Sequence, residues 1–259
     1  MEFQTACKAF EKYLDEYDRE DDKIRLKILH TYEVVKCAEQ IATDMGLSRE
    51  DVELAKIIGL LHDIGRFEQI RRYDSFQFTT MDHARYGAGL LFGKKGMIRQ
   101  FLPEDSFDAI IEKAIEKHSD FALEGIEDPR TLLHARLIRD ADKLDNCRVK
   151  IEESIQTLLG VTEEEAGKGL ISPKVWQSCL ERKSILLSDR VTKVDYWVSY
   201  VAQFFDVNFP ETCAIILKEN YLPLMVHRLT YEEKETTEKM EQLLLNCQLF
   251  LEEKLSQKQ

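Results

Sequence analysis

Apolar residues along this chain recur with a period close to 3.6 rather than two, the spacing of helices with one buried face. Between positions 23 and 45, Ile24, Ile28, Val34, Val35, Ala38, Ile41, Ala42 and Met45 form one broad stripe, and Gly46 is placed to stop it. A second helix is expected after Ser48, an N-cap residue with Asp51 three positions on, running through Val52, Ala55, Ile58 and Leu61 to a stop at Gly65. Positions 71–82 lack the helical period and read as a loop, briefly extended at 76–78. Helical patterning resumes over 82–92, 105–118, 129–159, 191–205, 210–218 and 231–255. Pro103, Pro129, Pro173, Pro210 and Pro223 all sit where they can open a helix. The last segment gathers Met240, Leu243, Leu244, Cys247, Phe250, Leu251 and Leu255 on one face, as a helix capping the bundle would. The expected fold is an all-α helical bundle.

Composition agrees with this. At 259 residues and 44% hydrophobic content the chain can bury a core, and 11 Gly with 5 Pro are too few for turn-rich β architectures. The 36 Lys and Arg against 48 Asp and Glu give a net charge of −12, which disfavours a long nucleic-acid partner. No run of 18 apolar residues exists and the first 20 positions are acidic and interrupted by charge, so the expectation is a cytoplasmic protein without membrane contact. Cys7, Cys37, Cys147, Cys179, Cys213 and Cys247 are scattered singly, which fits reduced thiols better than a disulfide frame.

Of the six histidines, four fall at the inward margin of a helical stripe. His30 aligns with Val34, Cys37 and Ile41, His118 with Ile111, Ala114 and Ile115, His83 with Gly87 and Leu90, and His62 follows Ile58 and Leu61. One inward histidine is usually a hydrogen-bonded core residue; four together point to a shared site. The dipeptide His62-Asp63 is expected at the closing end of its helix, where the negative dipole end favours a cation and makes an extra carboxylate costly without one. Imidazole and carboxylate side by side suit Zn, Fe, Mn or Ni. His134 and His227 are read as lying outside the site. On the wheel of 129–149 the apolar arc runs through Leu133, Leu137, Ala141 and Leu144, with Asp145 and His134 nearer its centre than Asp142, so periodicity leaves both Asp142 and Asp145 open as ligands.

The order His30, His62-Asp63 after 32 residues, and Asp142 within RLIRDADKLDN resembles the HD-domain superfamily, whose members are mostly metal-dependent phosphohydrolases. LLHDIGRFEQ around the central pair, DHARYGAGLL around His83 and IEKAIEKHSD around His118 match as well, the last two resembling the extra histidines of members that hold two metals. The resemblance covers about 23–150. It implies one ion held by His30, His62, Asp63 and Asp142, and a second held by His83 and His118 with Asp63 bridging. Two ions about 3.5–4 Å apart activate a water and stabilise the attacking and leaving oxygens at phosphorus. The implied activity is hydrolysis of a small phosphorylated molecule, a nucleotide in the first instance, through a metal-bound hydroxide. Asp63, Arg66 and Lys143 are the catalytic candidates, and Arg66, Arg85, Lys117 and Lys143 the candidates for holding phosphate.

The chain departs from the branch specific for cyclic dinucleotides: His118-Ser119-Asp120 is followed by FALEGIEDP, with neither a paired histidine nor a Gly-Tyr-Pro signature. The branch acting on diadenosine tetraphosphate orders its ligands similarly but lacks the C-terminal extension. Mixed-valent di-iron oxygenases use the same ligand order, and a regulatory module that keeps metals without turnover is a third reading. The loop at 71–82, with Tyr73, Phe76, Phe78, Thr79 and Thr80, reads as a lid, a base-stacking wall or a plain cover. The expected organisation is an N-terminal helix over 1–22, a metal-binding core over 23–150, and a helical extension over 151–259 within the same globule. That extension is free to complete the pocket wall, to cover the core or to build a homo-oligomer interface.

Overall fold

Side-chain caps and glycines divide the chain into helices, and no strand occurs among the described residues, 2–94 and 96–257, of this computed structural model. The all-α expectation holds. The chain separates into two compact units, Met1–Asp145 and Asn146–Gln259. The first contains α1 (Phe3–Leu14), α2 (Asp22–Asp44), α3 (Arg49–Leu61), α4 (Ile64–Tyr73), α5 (His83–Phe92), α6 (Ile98–Phe101), α7 (Asp108–Lys117) and most of α8 (Pro129–Glu152).

Asp21 caps α2 by accepting from the N–H groups of Lys23 and Ile24, and Gly46, with φ +69°, follows its end as the stripe predicts. Ser48 caps α3 through Asp51 N–H. Leu54, Ile57, Ile58, Leu60 and Leu61 of α3 are all essentially inaccessible, so this helix is buried on every side over its second half. Each such side chain contributes about 1.5–3 kcal/mol of transfer free energy. Gly59 lets α2 come close: a Cβ there would stand 3.3 Å from the Val35 backbone.

Gly65 does not stop a helix, contrary to the sequence reading. It lies in the first turn of α4, and a Cβ on it would meet His83 O at 2.3 Å and Gly87 N at 2.8 Å. Its lack of a side chain serves the contact between α4 and α5. The break comes earlier, at His62 and Asp63, and α4 then continues through Tyr73, so positions 71–73 belong to a helix and only 74–82 form the loop. The single helix expected over 129–159 is two, parted at Ser154, which caps α9 (Ile155–Leu159) through Thr157 N–H. Pro103 opens no helix; it lies in the connection between α6 and α7.

The second unit contains α10 (Glu163–Ala166), α11 (Pro173–Leu180), α12 (Lys193–Ala202), α13 (Pro210–Lys218), α14 (Tyr221–Val226) and α15 (Lys234–Ser256), and the buried Trp197 of α12 donates its indole N–H to Met225 O at 3.0 Å. Buried Asp195 accepts from Ser172 N and Oγ, Val191 N and Thr192 N, satisfying its charge within the unit. The apolar face of α15 packs Met240, Leu243, Cys247 and Leu251 against its own unit, chiefly α13 and α14. None of the six cysteines is in a disulfide, and four of them are buried. No helix among the described residues is long and apolar enough to cross a membrane.

Candidate metal centre

Helix ends aim most of the candidate ligands at one point. His62 closes α3, Asp63 precedes the first turn of α4, His83 opens α5 behind its N-cap Asp82, and His118 closes α7. His30 comes from the inward face of α2, and Asp142 and Asp145 from α8. Asp63 therefore sits at the positive end of α4, not only at the negative end of α3, and the helix dipole helps to hold its carboxylate. Its side chain makes no capping bond and is left to face the histidines.

The two oxygens of Asp63 divide the cluster. Oδ2 lies 3.7 Å from His30 Nε2 and 3.6 Å from His62 Nε2, whereas Oδ1 lies 3.2 Å from His83 Nε2 and 3.7 Å from His118 Nε2. Two groups, His30 with His62 and Asp63, and Asp63 with His83 and His118, each bring one ligand atom per residue within 4.8 Å of the others, and all five residues are buried. Asp142 joins the first group, with Oδ1 3.1 Å from His30 Nε2 and 3.9 Å from His62 Nε2.

The opposite ring nitrogens determine which form each imidazole takes. His62 Nδ1–H donates to Gly59 O at 2.7 Å and His118 Nδ1–H to Ile115 O at 2.8 Å, while His30 Nδ1–H donates to Asp145 Oδ2 at 2.6 Å. The His62 and His118 rings then turn an Nε2 lone pair inward, while His30 Nε2 faces the Asp142 carboxylate; burial lowers the His30 pKa, but Asp142 and Asp145 outweigh it and raise it. His30 Nε2 and His62 Nε2 are buried and make no hydrogen bond, and His83 Nε2 and His118 Nε2 approach to 3.1 Å. Lone pairs converging on a buried carboxylate repel one another unless positive charge lies among them, and Lys27 on Asp63 and Arg66 on His83 supply part of it.

Burial, with a further push from Arg66, holds His83 down at about 3, and burial holds His62 at about 4, so both are neutral at pH 7. Burial raises Asp63, but Lys27 and His62 outweigh it and keep its carboxyl well below the usual range. Asp142 is likewise held low, mainly by His30 against the cost of burial.

Two basic side chains enter the cluster. Lys27 Nζ donates to Asp63 Oδ2 at 2.7 Å, and its own side chain is largely buried. The sequence reading missed it, although it stands one turn before His30 on the same face of α2. Arg66 donates through Nη2 to His83 Nε2 at 3.0 Å and through Nη1 to Gln69 Oε1 at 2.6 Å and Phe76 O at 3.0 Å. Gln69, also missed and fully buried, donates in turn to Gln77 O at 2.7 Å and Thr80 Oγ1 at 2.8 Å, which ties the 74–82 loop to the cluster. No motif signals Gln69; only its spacing of three from Arg66 hints at it.

The other proposed phosphate ligands lie differently. Arg85 pairs with Asp82 at 2.6 Å and Asp120 at 3.3 Å, and Lys117 with Asp120 at 2.9 Å, so neighbouring carboxylates engage both. Lys143 is half-buried on α8 beside Asp142. His134 is buried against Asp51 at 3.1 Å and exposed His227 pairs with Glu241 at 2.8 Å, both outside the cluster as expected.

No curated protein and no solved structure matches this chain. The family model described as HD domain matches residues 28–147, a span that holds every histidine and aspartate of the cluster. That span of the chain is a member of the HD-domain superfamily.

Proposed function

We propose that this protein is a metal-dependent phosphohydrolase acting on a small phosphorylated molecule, a nucleotide being the class that fits best. HD domains are typically domains of metal-dependent hydrolases, and the cluster offers the donor set such enzymes need. The observation that carries the reading is the convergence of four buried imidazole Nε2 atoms on the two oxygens of Asp63, two of which, those of His30 and His62, make no hydrogen bond. That donor set fits divalent transition ions, Fe, Mn, Zn or Ni. We assign His30, His62, Asp63 and Asp142 to one ion, and His83 and His118, with Asp63 shared, to a second. When bound, such ions supply Lewis acidity toward a phosphoryl oxygen and an activated water.

The chain's own residues do the rest. Asp145, Gly59 O and Ile115 O orient three imidazoles so that each presents Nε2 to the cluster. Arg66, anchored by Gln69 and Phe76 O, and Lys27, anchored by Asp63, supply positive charge for a phosphate in a chain of net charge −12, and Lys143 stands beside Asp142 as a third candidate. The loop after α4 supports a nucleoside: Phe76 lies 5.8 Å from Lys27 Nζ, and Phe78 exposes about half its surface, 47%.

Metal analysis of protein purified without chelator, followed by phosphate release from p-nitrophenyl phosphate and a nucleotide panel, tests this. One to two transition ions per chain and release abolished by Asp63→Ala are expected. Metal-free protein, or release indifferent to Asp63→Ala, overturns it.

A further inference from the structure

The face of α4 turned away from the metal centre carries a second constellation that the proposed hydrolysis does not use. Glu68, only 5% exposed, accepts from Arg72 Nε at 2.5 Å and pairs with Arg71 Nη2 at 2.5 Å, so one buried carboxylate holds two adjacent guanidinium groups. Both arginines are about half exposed and keep N–H groups that Glu68 does not take. Arg71 lies 5.2 Å from the centre of the Tyr17 ring and Arg72 5.4 Å from that of Tyr86, whose hydroxyl also meets Arg72 Nη2 at 3.1 Å. These groups line a groove of about 470 Å³, within the size range of small-molecule sites. Lys12 and Gln100 stand on its margin, and Leu90 and Met97 add apolar surface.

A surface ion pair rarely repays the ordering of two arginines. Here a buried anion fixes both forks before any ligand arrives, which lowers the entropic cost of binding. Behind them Tyr13 donates to Ile64 O at 3.0 Å and lies 2.6 Å from the Tyr17 hydroxyl, so the aromatic wall is itself held in place. Counting Lys12, Arg71 and Arg72 against Glu16 and Glu68, the lining has a charge of 3 − 2 = +1 in a protein of −12.

We infer that this groove binds a small anion bearing an aromatic ring, in chemical class a nucleoside monophosphate, with the phosphate on Arg71, Arg72 and Lys12 and the ring against the tyrosines. The inference stands independently of the metal centre's activity.

Calorimetric titration of the full chain with adenosine 5′-monophosphate, adenosine and inorganic phosphate tests it. The monophosphate is expected to bind at least tenfold more tightly than either fragment, and Lys12→Glu and Gln100→Trp, both at exposed positions, are expected each to weaken it about tenfold. Circular dichroism melting checks that both variants fold. Asp63→Ala is expected to leave this binding unchanged, which separates the groove from the metal centre. Absence of binding below about 1 mM, binding that Asp63→Ala removes while the groove variants keep it, or adenosine binding as tightly as its monophosphate, each overturns the inference.

Discussion

Asp145 Oδ2 receives a hydrogen bond from His30 Nδ1 at 2.6 Å, while Asp142, one turn earlier on the same helix, brings Oδ1 to 3.1 Å from the other nitrogen of the same ring. The two carboxylates that helical periodicity left as alternatives thus take different sides of one imidazole. Asp145→Ala is expected to lower the affinity for Mn²⁺ or Zn²⁺ by about 10–100-fold, and Asp145→Asn, which still accepts from Nδ1–H, by less. Competition titration against a chelating dye measures this. Equal affinity in the alanine variant and the parent would contradict the orienting role.

Lys27 donates to Asp63 from a largely buried position, and loss of a charge-assisted contact costs about 1.5–3 kcal/mol. Lys27→Met is expected to raise KM for a phosphorylated substrate by about tenfold or more while metal stoichiometry stays at the parent value. Steady-state kinetics with metal analysis on the same sample decide it; a lost metal with unchanged KM would move Lys27 from phosphate to ligand support.

Gly65 and Gly89 make a matched pair. A Cβ at Gly65 meets backbone atoms that cannot yield, whereas one at Gly89 meets nothing within 4 Å. Gly65→Ala is expected to lower Tm by about 5 °C or more through forced separation of α4 and α5. Gly89→Ala, on the exposed face of α5, is expected to raise it slightly, by about 0.4–1 kcal/mol of stability. Equal melting temperatures for the two variants would refute the packing role of Gly65.

Gln69 links Arg66 to Gln77 and Thr80. Gln69→Ala is expected to reduce kcat/KM by about tenfold, the cost of leaving buried partners unpaired, and to speed proteolytic nicking within 74–82. A nicking rate equal to the parent's would show that the loop is held by something else.

Asp51 accepts from Ser48, Arg130 and His134, and these bonds outweigh burial to pull its carboxyl down to about 2. Its folded value lies below the unfolded one, so its stabilisation is present above about pH 4 and is lost as pH falls through about 2, a loss on the order of 1–2 kcal/mol after allowance for partial exposure. Burial also lowers His134, so the unfolded chain takes up that proton first and stability falls as pH drops below about 6.5. Thermal unfolding between pH 7 and 2 should show both declines, and Asp51→Asn should flatten the lower one; an unchanged slope there would assign it to other carboxylates.

The helical period, the caps at Ser48, the glycine after Met45 and the inward placement of four histidines were all legible along the chain, because each depends on neighbours within one or two turns. Gly65 was misread for the same reason. Along the chain a glycine after an apolar run looks like a stop, and only the passage of α5 against it reveals a contact too close for a side chain. Lys27 and Gln69 carry no motif, and their importance arises from partners 36 positions away and in a loop 8–12 positions on.

Residue order alone specified an all-α chain and an HD-type set of histidines and aspartates, since these follow from local periodicity and a recognisable ligand order. Tertiary structure alone decided that Asp63 turns Oδ2 to His30 and His62 and Oδ1 to His83 and His118, that Asp142 and Asp145 flank His30 from opposite sides, and that Lys27 reaches the cluster. Those relations join helices far apart in sequence, and their distances and orientations are set by how whole helices pack, which no window of the sequence contains.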